Sequence, residues 1–105
     1  MIRRLVKMTF REEEIPVFVA LFEQTKEQIR NFPGCRHLEL WCQHDQASVF
    51  FTFSIWDSPA ALDHYRSSEL FGQTWKQTKA LFAAAPEAWS LDFFSQPEQD
   101  SGISL

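Results

Sequence analysis

A chain of 105 residues has room for one domain with a single sizeable core and none for a second. Apolar residues make up 45% and aromatics 15%, with eleven Phe and four Trp, which excludes a disordered chain. Ten Lys and Arg against fourteen Asp and Glu give a net charge of −4 with the basic residues scattered, which argues against a nucleic-acid partner.

The opening MIRRLVKMTF alternates. Ile2, Arg4, Val6, Met8 and Phe10 share one parity and Arg3, Leu5, Lys7 and Thr9 the other, the period of a strand with one greasier face. Arg3 and Arg4 therefore point to opposite sides, and with Lys7 they form no single basic patch. The same alternation replaces the apolar run of a signal peptide. No stretch approaches the roughly 20 apolar residues of a membrane span, so the expectation is a cytoplasmic protein with no membrane contact.

Glu12, Glu13 and Glu14 place negative charge where a helix N-terminus favours it, and Pro16 fits a first helical turn. Ile15, Phe18, Phe22, Ile29 and Phe32 then share a helical face, and NFPG ends the helix through Pro33 and Gly34. A second strand is expected over Cys35 to Gln43. The cysteines Cys35 and Cys42 on it stand about 23 Å apart at ~3.3 Å per residue, too far for a disulfide, and read as buried or half-buried free thiols. HDQAS makes the next turn, and VFFTFSIW is a third strand greasy on both sides: Val49, Phe51, Phe53 and Ile55 against Phe50 and Trp56. Ser58 before Pro59 starts a short helix to about Ser67. Phe71, Trp75, Thr78 and Phe82 form the stripe of another, and Pro86 leads into a last strand alternating Trp89, Leu91 and Phe93.

The order β-α-β-β-α-α-β describes an α+β, ferredoxin-like split βαβ domain over residues 1–95, followed by a polar tail over 96–105 in which Ile103 and Leu105 are the groups able to dock on a neighbour. Helices cover only one sheet face in that fold. The second apolar face of the third strand therefore needs a partner, and a second copy of the chain is the cheapest one.

NFPGC leading into a strand, WDSPAAL at a strand-to-helix junction and the SSELF that follows resemble the antibiotic biosynthesis monooxygenase family, small dimeric α+β barrels that include quinol monooxygenases and haem-degrading enzymes. The likeness runs from Ile2 to about Phe94. It implies a homodimer with a cleft between sheet and helices in each protomer. Many members of that family carry a glutamate two residues before the tryptophan and a histidine nine after it, and here those positions hold Ser54 and Tyr65. The asparagine, tryptophan and histidine of the haem-degrading branch would fall near Lys7, on Tyr65 and on Trp75, so haem degradation is disfavoured.

Within IWDSPAALDHYRSSELF, the residues Ala61, Leu62 and Tyr65 form the apolar side of the short helix, with Asp63, Arg66 and Ser67 opposite and His64 on the border. Tyr65, the only tyrosine, is thus either a core residue bonded to a backbone carbonyl or a cleft residue that meets a ligand. His64 is either a solvated helix-edge residue or a proton-transfer group. The resemblance implies a cofactor-independent monooxygenase acting with O₂ on a small aromatic or quinol substrate; for such chemistry the residues of this chain offer Tyr65 as hydrogen-bonding and His64 as proton-transfer catalytic groups, and Phe71, Trp75 and Trp89 as substrate-binding walls. Trp41, Trp56 and Trp89 stand where an indole can line a cleft with its N–H free. The alternative is a non-catalytic dimeric barrel that binds a small apolar ligand or has a structural role. His37, His44 and His64 with the two cysteines give no metal spacing, and no metal or cofactor is expected.

Overall fold

The N-terminal alternation becomes β1 (Ile2–Thr9), whose Met8 is buried on the greasier face. The computed structural model describes residues 1–97. A single 3₁₀ turn at Glu12–Glu14 feeds α1 (Ile15–Arg30), with Pro16 in its first turn and Phe18 and Ile29 buried. The chain then pairs β2 (Cys35–Gln43) with β3 (Gln46–Trp56), crosses through α2 (Pro59–Arg66) and α3 (Glu69–Lys79), and returns as β4 (Glu87–Asp92).

The four strands form one antiparallel sheet in the order β2-β3-β1-β4, the arrangement of a ferredoxin-like α+β domain. Register decides which side chains meet the helices. Leu38, Ser54, Arg4 and Ser90 lie side by side in one row, and Leu40, Thr52, Val6 and Ala88 in the next. The opposite face carries Glu39, Phe53, Leu5 and Trp89 in one row. Two clusters make the core under the helices: Met8, Phe10, Phe18, Phe50 and Leu81 at one end, and Cys35, Trp56 and Leu62 at the other.

Four details depart from the sequence reading. The expected HDQAS turn contracts to His44 and Asp45, because Gln46 already pairs with Gln43 and extends β3. Cys42 is exposed: a sheet position counts as buried only where a helix crosses above it, and β2 is an edge strand. Phe82 lies beyond α3, where it bridges to Phe10 through the backbone. Phe93 lies just past the end of β4. Ile103 and Leu105 lie outside the described residues.

Gly34 fixes the exit from α1. Its φ is +89°, and a Cβ built there would stand 2.6 Å from Cβ of Ala61 at the start of α2. Backbone strain and overlap act together, so Gly34→Ala is expected to lower stability by about 2–3 kcal/mol in a urea melt. A midpoint unchanged from the parent would refute this account of the turn.

Candidate functional site

A cavity of about 330 Å³ lies between sheet and helices and touches both core clusters, with Met8 and Phe18 at one end and Trp56 and Leu62 at the other. The helical segment after β3 supplies its upper wall. Ser58 accepts the Ala61 N–H at 3.1 Å and Pro59 opens α2, so the helix begins where Leu62 turns into the core and Tyr65, one turn later, follows it. The Ser68 hydroxyl donates to the Tyr65 carbonyl at 2.6 Å and accepts the Phe71 N–H at 3.1 Å. One serine therefore ties the end of α2 to the start of α3 and fixes Tyr65 relative to Phe71.

Tyr65 stacks on Trp56, with ring centres 4.8 Å apart and planes at 24°, and meets Phe71 edge-on at 5.2 Å. Phe71 stacks on Trp75 at 5.9 Å. These four rings form a continuous aromatic wall. The Trp56 indole N–H donates to the buried Ser54 hydroxyl at 2.9 Å, and that of Trp41 to Glu39 at 2.7 Å, so neither indole has the free N–H expected from the sequence. Ser54 and Tyr65, which stand where the sequence reading expected a glutamate and a histidine, both line the cavity beside Trp56.

The Tyr65 hydroxyl has no hydrogen-bond partner among the described residues, and it is not a sealed orphan. It opens into the cavity. Burial, aided by the nearby Cys35 thiol, pushes its ionisation well above the ordinary 10.0, so at neutral pH the group is a donor and not a base. A raised pKa means that the unfolded chain loses this proton first. The neutral tyrosine's contribution to stability is complete below about pH 10 and is lost above it. Thermal melts should therefore show a steeper alkaline fall for the parent than for Tyr65→Phe, and parallel curves would contradict the assignment.

Of the other residues singled out from sequence, Phe71 and Trp75 line the cavity. His64 does not. It is exposed on the far side of α2, with its ring 5.3 Å from that of Phe32. Trp89 is absent from the cavity as well, because its register opposite Leu5 puts it on the open sheet face, where it is 40% exposed. A helix turn of 100° moves His64 away, and strand parity moves Trp89 away.

Among the lining residues that escaped sequence reasoning, two are charged, Arg4 and Arg66. Arg4 carries the one charge on the greasy parity of β1, a signal that was legible. Arg66 was read as opposite to the apolar side of α2, yet a long guanidinium side chain can bend back over the cavity mouth. Arg4 donates to the Ser90 hydroxyl at 2.9 Å, and neither arginine has an acidic partner among the described residues. No Asp, Glu or His lines the cavity, and no group of His, Cys, Asp and Glu able to hold a metal occurs among the described residues.

The antibiotic biosynthesis monooxygenase family matches residues 1–77 of this sequence. The chain belongs to that family. Among solved structures it is similar to a crystal structure described as an antibiotic biosynthesis monooxygenase, at 20% identity and a TM-score of 0.85, covering 90% of this chain and 100% of the other. It is also similar to Rv0793 from Mycobacterium tuberculosis, at 20% identity and 0.83, covering 92% and 98%, and to PA3566 from Pseudomonas aeruginosa, at 16% and 0.79, covering 90% and 94%. At such identities the likeness establishes the shared fold. No curated protein matches the sequence. No helix among the described residues is long and apolar enough to cross a membrane.

Proposed function

We propose that the chain is a cofactor-independent monooxygenase that uses O₂ to oxidise a small aromatic or quinol substrate, and that it works as a homodimer. The observation that carries this reading is an aromatic-walled cavity into which one protonated, unpartnered tyrosine hydroxyl opens. In such a reaction a quinol and O₂ give a hydroxyquinone and water. One oxygen atom enters the ring, the other leaves as water, and all four electrons come from the substrate.

The chain's own part is to hold the ring against Trp56, Phe71 and Trp75, to exclude water, and to donate from Tyr65 to the substrate oxygen as negative charge develops there. His64 lies outside the cavity, so the substrate proton passes to water at the mouth. The absence of Asp, Glu and His from the lining favours a second reading, a dimeric barrel that binds a small apolar ligand without turning it over.

Oxygen uptake by the purified protein with a panel of naphthoquinols and tricyclic phenols separates the two. Uptake above the spontaneous rate supports the monooxygenase. Saturable quenching of tryptophan fluorescence with no uptake by any panel member supports the binding barrel.

A further inference from the structure

In a chain with fourteen acidic residues against ten basic ones, the cavity collects two arginines and no acid. Arg4 enters from β1 and Arg66 from the last turn of α2, so the strand and the helix bring two cations to a space otherwise lined by apolar side chains and hydroxyls. Ser54 accepts from the Trp56 indole and keeps its own proton to give, and Tyr65 gives one and receives none. The cavity thus presents an excess of donors with fixed positive charge. Burial and the neighbouring Arg66 both press the Arg4 guanidinium below its ordinary value, the mark of two like charges held close in a partly dry place.

Of the four other arginines, Arg36 pairs with Asp57 and Arg11 with Glu13 and Glu14, while Arg3 lies over the Phe93 ring and Arg30 donates to the Cys35 carbonyl; only Arg4 and Arg66 face the cavity without an acid. Of the unmatched pair, Arg4 makes one neutral hydrogen bond to Ser90, which leaves most of its five donors unspent. Two like charges with unspent donors at the cavity are what an anion would satisfy.

We infer that the cavity is shaped for an aromatic carboxylate, its ring system lying against Trp56, Phe71 and Trp75 and its carboxylate between Arg4 and Arg66. A carboxylate fits better than an ionised ring hydroxyl for two reasons. It arrives charged at neutral pH, and its two oxygens match the two-pronged guanidinium. This inference rests on the cavity's being the substrate site proposed above, and it specifies the substrate class: an aromatic acid whose oxidisable ring oxygen lies within reach of the Tyr65 hydroxyl.

The test compares 2-naphthoate with its neutral isostere 2-naphthamide by titration calorimetry on the full chain. The acid is expected to bind roughly 10- to 100-fold more tightly, from charge-assisted hydrogen bonds in a partly buried site. Arg66→Gln, at an exposed position that the core does not need, should remove most of that preference, and Arg4→Gln should do the same if it folds. Affinity for the amide should fall clearly less than affinity for the acid in Arg66→Gln, since the neutral carbonyl loses a weaker hydrogen bond than the carboxylate does. Equal binding of acid and amide, or no binding of either at millimolar concentration, overturns the inference. Oxygen uptake is a separate readout: a charge preference without turnover leaves this inference standing and removes the monooxygenase, whereas turnover of neutral quinols without a charge preference does the reverse.

Discussion

Phe53→Glu is expected to turn a dimer into a monomer at micromolar concentration while leaving the fold intact. The sheet face away from the helices carries Phe51, Phe53 and Ile55 on β3 with Leu5 on β1, and Trp41, Trp89 and Leu91 stand on it at 42%, 40% and 44% exposure. Phe53 sits at its centre, stacked on Trp41 with ring centres 5.0 Å apart and planes at 11°. A contiguous aromatic surface of this kind is costly in water and is normally covered by another chain. In a two-fold dimer every substitution appears twice. Two unpaired carboxylates driven into one apolar interface cost several kcal/mol each, enough to dissociate a homodimer at micromolar concentration. Within a single chain the glutamate still faces solvent, so far-UV circular dichroism should be unchanged. Sedimentation velocity checks both halves. A monomeric parent removes the homodimer, and a variant that remains dimeric shows that the contact lies elsewhere.

The same face shows why most of the fold was legible in the sequence and the site only partly so. Strand parity is a strict two-residue period, so β1 and β3 announced their faces and the helix spacing announced α1. Parity does not say which face the helices choose. Trp89 looked like a cavity wall by residue type and went to the open face by register with Leu5. Tyr65 was placed inward by its spacing from Leu62, and it is inward. Its hydroxyl could not be assigned from sequence, since a hydrogen-bond partner depends on neighbours that chain order does not disclose. The arginines show the converse case. Their residue type suggested solvent, whereas the sheet row shared by Arg4 with Ser54 and Ser90 put a cation beside the cavity. Polar residues on a buried parity are the signal to weigh more heavily, because burying them is costly and demands a reason.

Tyr65→Phe is expected to slow quinol oxidation by roughly 10- to 1,000-fold without loss of the fold, because it deletes one donor aimed at a developing oxyanion and keeps the ring. The ring is what the structure uses: it stacks on Trp56 and contacts Phe32 and Phe71, and phenylalanine retains all three contacts. The hydroxyl bonds nothing in the described chain, so its removal leaves no orphaned partner and should change stability at neutral pH by less than about 1 kcal/mol. The two readouts therefore separate cleanly. A structural tyrosine bonded to backbone would lose stability and keep activity, whereas a donor to substrate would lose activity and keep stability. If the donor acts mainly in the transition state, kcat should fall while KM changes little. Turnover undiminished in the variant, measured as oxygen uptake alongside a thermal melt at pH 7, would reject the role assigned to Tyr65.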